Sequence, residues 1–209
     1  VTIAVVTSCT GADYHQFLFP WAVAVAGLNR LPDRVIVATD ADDDLLDEVS
    51  VLLEVWWVRP TTVPSVHPAV IVNDAIAWAK TDWVCRLDVD DVIRPHALDD
   101  VDLCDADVYC FGYEVGGQPV LAPPITAEGM LAFSDNPLAA CSPWRRWIWE
   151  RQPYRDVAYD DWAFWRDAAR NGARFAPSGR VDYEYRQHPG QFTRRTDRST
   201  ALHDLWSLG

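Results

Sequence analysis

No stretch of this sequence comes near the roughly 20 consecutive apolar residues that a membrane-spanning helix requires. The best candidate, Trp21 to Leu28, is too short, so no transmembrane segment is expected. The first residues also lack the basic flank and small-residue cleavage site of a signal peptide, opening directly into Thr2-Ile3-Ala4-Val5-Val6. Cysteine is sparse and unpatterned: Cys9, Cys85, Cys104, Cys110 and Cys141 are odd in number and widely spaced, with no Cys-x-x-Cys. That argues against a disulfide framework or a structural zinc site, and for small buried hydrophobes in a reducing, cytoplasmic compartment. Basic residues are scarce where acidic ones abound. Residues 1–143 carry 6 Lys or Arg against 22 Asp or Glu, whereas residues 144–209 carry 12 against 9. An acidic first part is a poor surface for nucleic-acid phosphates, but it suits a divalent cation, which needs carboxylates and offsets their repulsion. The arginines of the last quarter either face an anionic ligand or form ordinary solvated surface. Internal repeats, low-complexity tracts and an EF-hand Asp-x-Asp-x-Asp-Gly loop are absent as well.

What is present is a globular composition, 49% apolar and 23% charged, organised as alternating strand-like and helix-like segments. Residues 2–7 read as a buried parallel strand, and a helix follows from about Asp13 to Leu28, kinked or started by Pro20. Residues 34–39 and 55–58 are further strands, with a helix over 45–53 between them and a loop over 60–68 after them. Asn73 is placed to cap a helix running to Ala79, and Trp83 to Leu87 forms a fourth strand ending at Asp88. Beyond lie a strand over 108–115, a Gly/Pro loop, a Trp/Arg-rich segment over 143–155, and a helix from about Asp160 to Asn171 closed by Gly172. The alternation predicts an α/β fold with a mainly parallel central sheet and helices on both faces, whose ligands sit beyond the carboxyl ends of the strands. The breaks at those ends are Thr7 to Gly11, Thr39 to Asp42 and Asp88 to Asp91, all polar or acidic.

An Asp-x-Asp triplet alone carries little weight in a chain with 25 aspartates. Composition predicts about three by chance, and the sequence has five, starting at Asp40, Asp42, Asp88, Asp100 and Asp105. Only the triplet at Asp88 directly follows a largely apolar five-residue strand, so only there are paired carboxylates held at a rigid edge. Such hard oxygen ligands suit Mg²⁺ or Mn²⁺ shared with substrate phosphates. The triplets at Asp42, Asp100 and Asp105 read as caps and turns.

The run from Asn73 to Asp91, NDAIAWAKTDWVCRLDVDD, resembles the core of family 2 glycosyltransferases. Tyr159-Asp160-Asp161-Trp162 resembles that family's Glu-Asp-Trp signature, followed by Arg170 to Phe175 as its usual glycine exit. Tyr185 to Gly190, containing His188, resembles its C-terminal histidine segment. The resemblance spans about residues 2–192 and implies a GT-A-type, Rossmann-like fold in one domain over 1–209. The nucleotide-sugar half would cover about 1–107, and a smaller, irregular acceptor and catalytic half about 108–209. It further implies inverting transfer from a nucleotide-diphosphate sugar to a hydroxyl, with Asp161 (or its neighbour Asp160) as the base. Asp90 would hold the metal, helped by Asp88 and His188, while Asp88 would alternatively serve the ribose. Donor contacts would come from Thr7, Asp40, Asn73, Asp88, Arg186 and Arg194, with Arg195 beside them. Trp162 would face the acceptor, and the other late tryptophans read as core.

The chain departs from the family pattern at Thr7-Ser8-Cys9-Thr10, at Gln152 to Asp156, and in having Asp160 where the family has Glu. The acceptor stays open among a glycan, a lipid, a metabolite, a protein and a hydroxylated DNA base, nucleic acid entering only in that role. The competing readings are a nucleotidyltransferase and a non-catalytic metal- or carbohydrate-binding module. The former normally carries a Gly-rich basic loop after the first strand, whereas Thr7 to Gly11 has one glycine and no Lys or Arg.

Overall fold

The computed structural model describes residues 1–60 and 68–189, with positions 199, 202, 203 and 205, and the statements below concern those residues. The first half alternates as expected: β1 (Ile3–Cys9), α1 (Ala12–Ala26), β2 (Arg34–Thr39), α2 (Asp43–Ser50), β3 (Val55–Val58), α3 (Pro68–Ala79), β4 (Trp83–Arg86). Asp42 caps α2 by accepting from the Leu45 amide at 3.1 Å, which is the structural role expected of that triplet. α1 starts at Ala12, beside the expected Asp13, and Pro20 lies inside the helix rather than at its start. One local reading changes. α3 begins at Pro68, a residue favoured in a first helical turn, so Asn73 is an interior position and caps nothing.

The second half contains β5 (Val92–Ile93), β6 (Val108–Val115), β7 (Gln118–Val120), α4 (Ala127–Ala132), β8 (Trp144–Arg145), α5 (Trp147–Arg151), α6 (Asp160–Arg170) and β9 (Phe175–Glu184). α6 ends in a Schellman arrangement: Gly172 at φ 83° donates to Ala169, and Ala173 donates to Ala168. The strand order is β3-β2-β1-β4-β8-β6-β9-β5, with β7 added to β6. The first four strands are parallel to one another; β8 joins β4 antiparallel, and β6 and β9 are parallel to each other.

Period-two alternation along β1 supplies both sides of the sheet with core. Ala4 and Val6 pack with Ile36, Ala38 and Val84 beneath residues of α3 and α6. Ile3 and Val5 pack with Val35, Val37 and Cys85 beneath residues of α1 and α2. Where β6 and β9 pair with shifted register, Gly112 lies so close to its neighbours that an added Cβ would sit 2.4 Å from the Arg180 carbonyl and 2.9 Å from that of Val120. Both obstacles are backbone. Gly112→Ala is therefore expected to cost about 1–3 kcal/mol of stability, read as a lowered urea midpoint.

Candidate active site

The site grows from the carboxyl ends of β1 and β4, which run parallel in register from Ile3↔Trp83 to Val6↔Arg86. Past β4 the chain turns tightly, with the Asp91 amide donating to the Asp88 carbonyl at 3.0 Å, before entering β5. β5 pairs antiparallel with the end of β9, Val92 opposite Glu184 and Ile93 opposite Tyr183. That pairing lays residues 185–188 beside residues 88–91, nearly a hundred positions earlier. Accordingly the Arg186 amide donates to Asp91 Oδ1 at 3.1 Å, and His188 Nε2 lies 2.8 Å from Asp90 Oδ2. Rings from α1 brace the imidazole, Phe17 at 4.9 Å and Tyr14 at 6.0 Å between centroids.

A cavity of about 680 Å³ opens over these strand ends. Asp88, Asp90 and Asp91 line one part of it, Asp160 and Asp161 another, with Tyr113, Tyr183 and Tyr185 among its walls. The start of α6 delivers the second pair, and the two carboxylates have different surroundings. Asp160 is buried and ion-paired with Arg86, whose Nε also donates to Asp88 Oδ1 at 3.1 Å. The guanidinium lies over the Tyr154 ring at 4.8 Å. Asp161 is half-buried; its Oδ1 accepts from the Trp162 amide at 2.8 Å and its Oδ2 from Asn136 Nδ2 at 2.7 Å.

Electrostatics separate these groups further. Burial opposes the charge on Arg86, but Asp160 and Asp88 outweigh it and hold the guanidinium firmly protonated. Burial raises the Asp88 carboxyl, Arg86 pulls it down, and Asp90 and Asp160 push it up again, for a net rise. Asp91 is also raised, by burial and then by Asp88 and Asp90. Asp161 is pushed up to about 7, by burial first and by the Asp160 charge second, against the pull of Arg86. A carboxyl poised there accepts a proton near neutral pH more readily than an ordinary aspartate does.

Among the described residues no three His, Cys, Asp or Glu side chains form a ready-made metal cage. The Asp90–His188 pair, now in contact at 2.8 Å, could supply two ligands to an ion of the Mg²⁺ or Mn²⁺ type. Such ions commonly take one or two protein ligands and complete their shell with phosphate oxygens and water.

Several residues expected at the site lie elsewhere. Thr7 is 1% exposed, turned into the sheet by the pleat, and its neighbours Ser8 and Thr10 line the cavity instead. Asn73 is engaged in packing: it donates to the Tyr154 carbonyl at 2.9 Å and accepts from the Trp149 indole at 2.7 Å and the Tyr154 amide at 3.1 Å. Trp162 is 0% exposed, packed in the core beside Tyr159, and has no face to offer an acceptor. Asp40 follows β2 as expected and is partly exposed, accepting from the Gly11 amide at 3.0 Å and lying 2.8 Å from His15 Nε2. Burial alone would raise its carboxyl, but the bonds from His15 and Gly11 lower it on balance. Arg186 joins the site through its backbone amide, while Arg194 and Arg195 lie outside the described residues.

Arg86, Asn136 and the aromatic brace of His188 were not singled out from the sequence. Arg86 had a readable signal, a charge inside a strand otherwise buried on both faces, which demands a buried partner. Asn136 had none, since it lies in a loop and its partner is on a different element.

No protein-family model matches the chain, and no curated protein matches it in sequence. Solved structures do resemble it. S. aureus TarS 1–349 in complex with UDP-GlcNAc superposes with a TM-score of 0.77 at 18% identity, over 100% of this chain and 65% of that one. The mannosyltransferase PcManGT from Pyrobaculum calidifontis, in complex with GDP-Man and Mn²⁺, superposes with a TM-score of 0.70 at 16% identity, over 99% of this chain and 63% of that one. The chain thus spans less than two thirds of the length of either. No helix among the described residues is long and apolar enough to cross a membrane. Identities this low speak to architecture, and the architecture is the α/β GT-A fold of glycosyltransferases.

Proposed function

We propose that this protein is a nucleotide-sugar-dependent, metal-assisted, inverting glycosyltransferase that moves a sugar onto a hydroxyl acceptor. The observation that carries the reading is one cavity lined both by the strand-end carboxylates Asp88 and Asp90 and by Asp161, a carboxylate raised to about 7. The likeness in fold to structures holding UDP-GlcNAc, and GDP-Man with Mn²⁺, supports the same donor class.

In this reading Asp90 and His188 would hold the divalent ion, and Asp88 would serve either the ion or the donor ribose. The bound ion supplies positive charge against the diphosphate leaving group. Asp40 takes the nucleoside end, next to Ser8 and Thr10, and Arg186 contributes to the donor side of the cavity. Asp161 accepts the proton of the incoming hydroxyl as that oxygen attacks the anomeric carbon. Direct attack opposite the leaving phosphate inverts the anomeric centre. Asp160, ion-paired with Arg86, sits at the start of α6 and places a negative charge beside the base. That charge raises the proton affinity of Asp161 without Asp160 itself being available as the base.

The test is a thermal-shift panel of UDP-, GDP-, dTDP- and CDP-sugars with and without Mn²⁺. One donor class should raise the melting temperature only when the ion is present, by about 5–10 °C at a hundredfold excess over its Kd. Asp90→Ala should abolish that ion-dependent increment while leaving the unliganded melting temperature nearly unchanged. An equal increment in Asp90→Ala would remove the metal role from this residue.

A further inference from the structure

We propose that Asn136, carried in by the loop between α4 and β8, is the positioning residue that orients Asp161 toward the cavity. The inference rests on the reading of Asp161 as the base, but it is argued from contacts that the reading does not use. Both oxygens of Asp161 are held from the protein side, Oδ1 by the Trp162 amide at 2.8 Å and Oδ2 by Asn136 Nδ2 at 2.7 Å. The Asn136 amide is itself oriented, because its Oδ1 accepts from the Leu138 amide at 3.2 Å. With that oxygen engaged, the NH₂ group faces the carboxylate, so the contact donates to the charged form of Asp161. A carboxylate oxygen has two acceptor positions. One on each oxygen of Asp161 is taken, and the cavity-facing remainder is left for an acceptor hydroxyl.

The contact also acts against the other charges around Asp161. Those are Asp160 on α6, Asp88 and Arg86 from β4 and its exit, the Tyr154 hydroxyl packed nearby, and Asp135 on the same loop as Asn136. Asp160 and Asp88 raise the cost of ionising Asp161, and Arg86 reduces it. Asn136 adds a neutral donor to the stabilising side. It thereby lowers a proton affinity that burial, Asp160 and Asp88 raise.

The test compares wild type with Asn136→Ala and Asn136→Asp by two readouts. The first is the ¹³C chemical-shift titration of the Asp161 carboxyl in the unliganded protein, which needs no donor. Its midpoint should move upward by about half a unit to one unit in Asn136→Ala, and further in Asn136→Asp, where a like charge replaces the donor. The second is nucleoside-diphosphate release from whichever nucleotide sugar the wild type turns over. In Asn136→Ala, kcat should fall about tenfold, donor KM should stay within about twofold, and the acid limb of the kcat profile should move upward with the titration. An unmoved titration midpoint in both variants overturns the proposal, whatever happens to the rate. A reduced kcat with an unmoved acid limb overturns it too, since that is the signature of loop damage. If the wild type turns over no donor, the glycosyltransferase reading fails, and the titration still decides whether Asn136 holds Asp161.

Discussion

Asp161→Asn is expected to lower kcat by about 10²–10⁴, the range supplied by a positioned general base, with donor affinity unchanged. The substitution keeps the side-chain shape and the bond from the Trp162 amide, but it removes the proton acceptor and turns an NH₂ toward the Asn136 Nδ2 donor. In the proposed reading donor affinity is carried by Asp90, His188 and the nucleoside end, none of which touches Asp161 in the contacts described above. The pH dependence of stability should change as well. The folded state raises the Asp161 carboxyl from 3.8 to about 7, so folding favours its protonated form. Its stabilising contribution is complete below the unfolded value of 3.8 and is lost as pH rises through about 7. At pH 8 the wild type therefore carries an ionised group that folding disfavours, and Asn removes it. The stability of Asp161→Asn relative to wild type should therefore rise by about 2–3 kcal/mol between pH 5 and pH 8. Urea titrations at the two pH values, beside single-turnover kinetics, check both halves. Transfer by Asp161→Asn at the wild-type rate would remove the base assignment.

Arg86→Met is expected to have the largest effect on folding. The guanidinium side chain is 6% exposed and bridges Asp160 and Asp88 while resting on Tyr154. Removing one partner of a buried ion pair leaves an uncompensated charge, at a cost of about 3–5 kcal/mol. Asp160 bears most of it, since Asp88 has more solvent around it. The loss is comparable to the whole stability of a marginal domain, so Arg86→Met should fold poorly or show a much reduced urea midpoint. Arg86→Met combined with Asp160→Asn should recover a large part, because the stranded charge is removed with its partner. If the double variant is no more stable than the single one, the cost lies in packing around Tyr154 rather than in the ion pair.

How far the sequence disclosed this arrangement depended on whether the information was local. β1, β2, β3 and β4 were legible because each is a short apolar run between turn residues, and the Schellman end of α6 was legible from Gly172. β9 was not, since Pro177, Gly179 and alternating polar residues disguise a ten-residue strand whose register is set by bulged pairing with β6. The same reasoning divides the site. Asp88 and Asp90 could be picked out because a strand ends there, and Asp161 because a helix starts there. That His188 meets Asp90 follows from the β5–β9 pairing, a non-local fact that only the family resemblance anticipated. Thr7, Asn73 and Trp162 were misplaced because position in a motif does not say which way a side chain faces. A one-residue change of face separates buried Thr7 from Ser8 on the cavity wall. Asn73 and Trp162 sit in the expected segments but have been drawn into packing with Trp149, Tyr154 and Tyr159.

The central claim is that one cavity holds an activated sugar donor at Asp88–Asp90 and attacks it under the control of Asp161. The most direct measurement is ³¹P and ¹H NMR of UDP-, GDP-, dTDP- and CDP-sugars incubated with the protein and Mn²⁺ or Mg²⁺. The account predicts that one donor class releases its nucleoside diphosphate, that the sugar first appears with the opposite anomeric configuration, and that Asp161→Asn suppresses the release. Intact donors across the whole panel with the wild-type protein, or a sugar released with its configuration retained, would contradict it.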